Sequence, residues 1–343
     1  MPDVPSDEEL TKFGVAFRDE GSHDFDPAVA WWNESWFWDW FDAEGRVAGH
    51  CRVGLHPNQQ RAWVWYFHYD AAAGGEWIAV EEPRLPITDV CRTKPGPVVP
   101  GRAVFTYERF GLAFSWEPEA PLRAGRLRFA GFGRVLSGAR AGWIVPVGAD
   151  LRVEALGAAH SPGRARAPGH ESERFPASRF EQPIALAGTL RAGDVEQAFR
   201  GRGERDHSWG PRHWNLEWTF LVLNGPALRL QCAEARIPQV APIRGGYLSR
   251  ADTIGIADAR FDFTWRDEDL ARPVAGRFLA TAEDGTPLDF AIEPLAAAEI
   301  DITHTFVPPR RSVYRRALVR ATAAEGGAPL LGWVESNRFV AKP

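Results

Sequence analysis

The sequence predicts an all-β protein built as two antiparallel β-barrels in tandem, and three observations carry that prediction. Apolar residues recur with a period of two along most of the chain, turn-forming residues interrupt them at short intervals, and 343 residues are about twice the ~100–200 typical of one domain. A hydrophobic share of 45% and a charged share of 25% are those of a globular protein able to bury a sizeable core.

The N-terminal stretch MPDVPSDEELTKFG is acidic and proline-bearing, without the basic and then apolar regions of a secretory signal. It predicts a short helix over Asp7–Phe13. No apolar run approaches the ~18 residues of a membrane-spanning helix, so a cytoplasmic location is expected, with peripheral membrane contact left open. In WFWDWFDAEGRVAGHCRVGLH, Trp36, Trp38 and Trp40 share one face, AEGR makes a turn, and a second strand returns. In RAWVWYFHYD, Trp63, Trp65, Phe67 and Tyr69 fall on one side and Val64, Tyr66 and His68 on the other. Further strands are read in RAVFTYERFGLAFSWEP, PLRAGRLRFAGFGR and DLRVEALGAAH. The segment 158–178, rich in Pro, Gly, Ser and mixed charge, breaks this pattern and predicts domains over 1–165 and 176–343. Strand patterns then resume to the C-terminus, apart from a short helix expected over Asp267–Ala271.

Several function classes are excluded by residue type. A net charge of −5 without a basic block argues against nucleic acid. Cys51, Cys91 and Cys232 lie far apart, outside zinc or redox spacing, and are read as three buried thiols. No HExxH and no His–carboxylate spacing suggests a metal, and GRGER lacks the lysine and following helix of a phosphate loop. Neither metal nor cofactor is expected. The unusual feature is fifteen tryptophans against one methionine, which suits an aromatic-walled site for a lipophilic ligand as well as an aromatic core.

The densest chemistry lies in GRGERDHSWGPRHW, residues 201–214. Its GxGxRDHSWGxRxW pattern, carried by Gly201, Gly203, Arg205, Asp206, His207, Ser208, Trp209, Gly210, Arg212 and Trp214, resembles the signature of the hydroxyneurosporene synthase (carotenoid 1,2-hydratase) superfamily and its AttH-like relatives. The likeness is strongest from about Gln182 to Phe220. It implies two lipocalin-like, calycin-type barrels, a fold that fungal lipocalin-like Diels-Alderases share, with the motif in the second. Fold alone does not settle function.

Strand alternation puts Arg205, His207 and Trp209 on one face and Asp206 and Ser208 on the other, unless a bulge at Ser208 reverses them. A hydrolase triad from these neighbours is therefore excluded. His207 is the candidate proton-transfer residue and Trp209 a candidate ligand wall. Asp206 is read as structural, accepting hydrogen bonds from Arg202, Arg212 or turn amides, and Arg205, Arg212 and Trp214 as structural parts of the motif. Glu234, at the end of the apolar row Leu228, Leu230 and Cys232, is a second acid–base candidate, or else an ion-pair partner of Arg236 or another arginine at the barrel rim. Trp36, Trp38, Trp40, Trp63 and Trp65 complete the expected substrate wall, whereas His50, His56 and His68 are read as structural. The resulting expectation is a cofactor-independent hydratase, cyclase or isomerase acting on a carbon–carbon double bond of an isoprenoid, steroid-like or polyketide molecule. The alternative is a carrier that holds such a lipophile unchanged.

Overall fold

The computed structural model describes residues 5–161, 178–212, 216–236, 242–266, 269–301 and 311–340. It contains two compact units, residues 1–212 and 213–343. The first opens with α1 (Asp7–Thr11), whose N-cap Ser6 accepts a hydrogen bond from the Glu9 amide, and a 3-10 helix over Phe17–Glu20.

Eleven strands follow: β1 (Trp32–Asp42), β2 (Val47–His56), β3 (Arg61–Asp70), β4 (Glu76–Pro86), β5 (Cys91–Arg92), β6 (Phe105–Arg109), β7 (Leu112–Ala120), β8 (Ala124–Val135), β9 (Ile144–Ala155), β10 (Ser178–Ala192) and β11 (Val195–Pro211). Their order is β4-β3-β2-β1-β11-β10-β9-β8-β7-β6-β5, and β4 also pairs with the end of β8. The pairings β1-β2-β3-β4-β8-β9-β10-β11 therefore close on themselves, the β4–β8 contact being made through Ile78 and Ala79.

The second unit is a closed antiparallel barrel of β12 (Glu217–Asn224), β13 (Arg229–Arg236), β14 (Ile243–Ser249), β15 (Thr253–Arg266), β16 (Asp269–Ala282), β17 (Pro287–Asp301), β18 (Arg311–Ala323) and β19 (Leu330–Val340). Its core includes Leu221, Leu230, Cys232, Phe278, Phe290 and Val334.

The all-β, two-barrel reading holds, but three details change. The units divide between Arg212 and His213 rather than within 166–175, because β10 and β11 are hydrogen-bonded into the first sheet between β9 and β1. The motif strand thus belongs to the first unit. The helix expected near Asp267–Ala271 gives way to β16, where Asp269 pairs with Arg266 across the β15–β16 connection. Cys51 and Cys232 are buried, but Cys91 is exposed on the short β5.

Both faces of β1, β2 and β3 are buried, which explains why their apolar residues are not confined to alternate positions. Trp36, Trp38 and Trp40 belong to the core of the first unit and lean on Phe105, Trp116 and Tyr66, with centroids 4.9, 5.0 and 5.8 Å apart. Burial of each such side chain contributes roughly 1.5–3 kcal/mol. The opposite face carries Trp63 and Trp65, with the Arg52 guanidinium 5.2 and 4.9 Å from their rings. The five tryptophans thus do not form one wall.

His68 alternates with Tyr66 and Val64 on the interior row of β3, and neither of its ring nitrogens meets a protein hydrogen-bond partner. Burial pushes its pKa down from 6.5 to about 4. Below the unfolded value the unfolded chain binds a proton here that the folded chain refuses, so stability falls as pH drops from 6.5 to about 4 and levels off beneath. The His68 contribution is about 3 kcal/mol, read as the difference between the native chain and His68→Leu in the fall of stability from about pH 7 to about pH 4, measured from urea midpoints.

Candidate functional site

The motif strand β11 lies between β1 and β10, with His207 opposite Trp36 and Phe180, and Arg205 opposite Trp38 and Gln182. Arg205, His207 and Trp209 share the interior face, while Ser208 turns the other way and meets the Ser35 hydroxyl at 3.0 Å. Gly203 is required by close approach: a Cβ there would stand 1.9 Å from the Asp39 carbonyl oxygen. The Asp39 carboxylate also accepts the Glu204 amide at 2.8 Å. Gly203→Ala is expected to cost about 1–3 kcal/mol, measured by urea unfolding, because backbone rather than a flexible side chain must move.

Two polar layers sit on this interior face. In the deeper one, Glu20 accepts two Arg205 N–H groups at 2.8 Å each, the Trp116 indole N–H at 3.1 Å and the Leu122 amide at 2.8 Å. The Gln182 carbonyl accepts two further Arg205 N–H groups at 2.8 and 2.6 Å, and its amide donates to the Leu122 and Gly157 carbonyls. The guanidinium also lies 5.6 and 5.4 Å from the Trp116 and Phe180 rings. This layer has every hallmark of a structural clasp: it is buried, charge-balanced and hydrogen-bonded throughout.

The second layer is chemically different. His207 stacks on Trp36 at 4.5 Å and is flanked by Trp209 at 4.9 Å and Phe180 at 5.8 Å. Its Nδ1 lies 2.8 Å from the Asp19 carbonyl oxygen, which can only accept, so Nδ1 carries the hydrogen and Nε2 is left facing Glu34 Oε1 at 3.4 Å. Glu34 is fully buried. Its Oε1 also receives the His23 amide at 2.8 Å and faces His23 Nδ1 at 3.0 Å, while Oε2 accepts from Arg92 at 2.9 Å. The His23 ring lies flat against Trp209, centroids 3.8 Å apart. The His23 and Arg92 side chains are each 19% exposed, so this layer has a path to solvent that the clasp lacks.

Burial disfavours charge on both Glu34 and His23, but their contacts outweigh it. His207 and His23 hold the Glu34 carboxyl below its ordinary pKa, and Asp19 and Glu34 hold the His23 imidazolium above its own. Imidazole, carboxylate and imidazole thus lie side by side, His23 within hydrogen-bond distance of Glu34 and His207 Nε2 3.4 Å from it without a hydrogen bond. The facing atoms of His23, Glu34 and His207 lie within 4.8 Å of one another, so these three residues could also hold a metal ion. No sequence spacing announces this group, since residues 23, 34 and 207 meet only through the fold.

Of the predicted site residues, the structure brings together His207, Trp209 and Trp36. Trp38 lies alongside the clasp through Trp116, Trp40 lies deeper, and Trp63 and Trp65 face the other side of the sheet. Asp206 accepts from Arg179 at 3.0 Å rather than from Arg202 or Arg212. The Arg212 backbone amide bonds the Trp31 carbonyl, and Trp214 lies outside the described residues. Glu234 belongs to the second unit, where Arg236 and Arg244 neutralise it at 2.6 and 2.7 Å. Sequence reading missed His23, Glu34, Arg92 and Asp19. A signal for Glu34 existed: it shares the parity of Trp36, Trp38 and Trp40, a carboxylate heading an aromatic row.

A family model described as "Domain of unknown function (DUF7064)" matches residues 17–340. No curated protein sequence matches the chain. Among solved structures, CghA with Sch210972 is similar at a TM-score of 0.63 and 13% identity, covering 96% of each chain. CghA alone gives 0.64 and 14%, over 92% of this chain and 89% of that one. Kievitone hydratase from Nectria haematococca gives 0.57 and 10%, over 99% and 97%. At such identities the likeness establishes the fold. No helix among the described residues is long and apolar enough to cross a membrane.

Proposed function

The chain belongs to the DUF7064 family, and from that premise we propose that it is an enzyme that moves protons on a carbon–carbon double bond of a lipophilic small molecule. The substrate is of isoprenoid, steroid-like or polyketide type, and the reaction is a hydration, isomerisation or cyclisation that needs no redox cofactor. The observation that carries this reading is the His23–Glu34–His207 chain, set among Trp36, Trp209 and Phe180 and open to solvent on one side. The motif's resemblance to the hydroxyneurosporene synthase superfamily supports it, as does likeness in fold to a protein named as a hydratase and to one solved with a small molecule.

In this reading an imidazolium of the pair gives its proton to one alkene carbon, the π electrons forming the new C–H bond. The neighbouring carbon, now electron-poor, takes water, loses a proton or is attacked by a second double bond, and the released proton returns to the imidazole. The raised pKa of His23 keeps a proton available near neutrality. The Trp209 and Trp36 faces stabilise developing positive charge by roughly 0.5–2 kcal/mol each. The acid–base role falls to this cluster rather than to Glu234, whose two arginines already occupy its carboxylate.

The test is mass spectrometry of lipophilic compounds retained by the purified protein, followed by incubation of the identified class in heavy water. Deuterium bound to carbon in the product supports the enzyme. Quantitative recovery of unaltered ligand makes the protein a carrier and overturns the proposal.

A further inference from the structure

The gap between His207 Nε2 and Glu34 Oε1 is 3.4 Å, longer than the ~2.7–2.9 Å of a charge-assisted N–H···O hydrogen bond. With Nδ1 tied to the Asp19 carbonyl, His207 Nε2 faces the Glu34 carboxylate across this gap without a hydrogen bond, a spacing that a bridging cation would fill. Metal–donor bonds of about 2.0–2.2 Å at a tetrahedral angle hold two donors about 3.3–3.6 Å apart, which matches this gap. His23 Nδ1 stands 3.0 Å from the same oxygen, and all three donor atoms lie within 4.8 Å of one another.

The surroundings are those of a supported ligand set. The Asp19 carbonyl fixes the His207 tautomer so that Nε2 faces inward, Arg92 anchors the second Glu34 oxygen, and Asp19 Oδ1 lies 3.8 Å from His23 Nε2. Two imidazoles and one carboxylate with a solvent-facing side suit zinc-like divalent cations, with water completing the coordination. We propose that His23, Glu34 and His207 bind one divalent transition-metal cation at this site. The inference rests on donor geometry and does not depend on the proton-transfer reading; a cation held here would occupy the lone pairs that reading uses.

The experiment is titration of the full-length chain with cobalt(II), followed by its visible absorption, with zinc(II) as competitor and no substrate present. One equivalent of cobalt(II), displaced by zinc(II), is expected. His207→Ala, His23→Ala and Glu34→Gln, each checked for fold by circular dichroism, are expected to weaken binding at least roughly 100-fold. The partly exposed His23→Ala decides if the buried variants do not fold. Absence of saturable uptake, or uptake unchanged in His23→Ala, overturns the proposal. Because no turnover is read, either result leaves the heavy-water test of the proposed reaction to stand or fall on its own.

Discussion

Arg205→Met is expected to destabilise the first unit by about 3–5 kcal/mol, a large share of the roughly 5–15 kcal/mol that holds a typical domain folded. The guanidinium spends its donors on Glu20 and Gln182, and methionine can fill part of the volume but none of the bonds. Glu20 would remain buried as a carboxylate with only the Trp116 indole and the Leu122 amide as donors. The cost arises mainly from that stranded charge rather than from the lost pair as such. Consequently the double variant Glu20→Gln with Arg205→Met should recover part of the loss, since no charge is then left buried, although the Trp116 indole and the Leu122 amide sit on different Glu20 oxygens and the amide keeps a single acceptor for them. Urea midpoints with an unchanged m-value provide the measurement. A loss below about 1 kcal/mol in Arg205→Met would show that the clasp does not hold the motif strand in place.

The clasp also explains why the motif reads as it does. Arg205 and His207 are neighbours on one face, yet one sits in a closed network and the other beside a buried carboxylate whose partner His23 is partly exposed. The RDHSWG run therefore joins Arg205 of the clasp to His207 of the proposed site at a spacing of two, set by strand alternation.

Much of the fold was legible in the sequence because alternation and turn chemistry are local. The indole row of β1, the hairpin to β2 and the return through β3 follow from residue parity alone. The division between units was not legible, because a segment rich in Pro and Gly says where a chain turns and not which sheet the next strand joins. Residues 178–211 return to the first sheet, a long-range pairing that no local pattern encodes. The same holds for the site. His207 and Trp209 stood out through the motif, whereas His23 lies in an irregular stretch and reaches Glu34 only once the N-terminal segment is folded against the interior face. Glu234 misled for the opposite reason: its parity with Leu230 and Cys232 is real, but its partners Arg236 and Arg244 lie two and ten residues away and were not weighed together.

The central claim is that the His23–Glu34–His207 chain is the proton-transfer centre, and the second large effect follows from it. His207→Gln keeps a side chain able to reach the Asp19 carbonyl but removes the nitrogen that faces Glu34; His23→Gln removes the solvent-facing end of the chain. General acid–base catalysis typically contributes about 10²–10⁴-fold, or roughly 3–5 kcal/mol in the barrier. The direct measurement is the rate at which deuterium from heavy water becomes bound to substrate carbon, compared between the native chain and these two variants after their fold is verified. The account predicts a fall of about 10²-fold or more in each, with ligand retention largely preserved. Rates within about twofold of the native chain in both folded variants would contradict it.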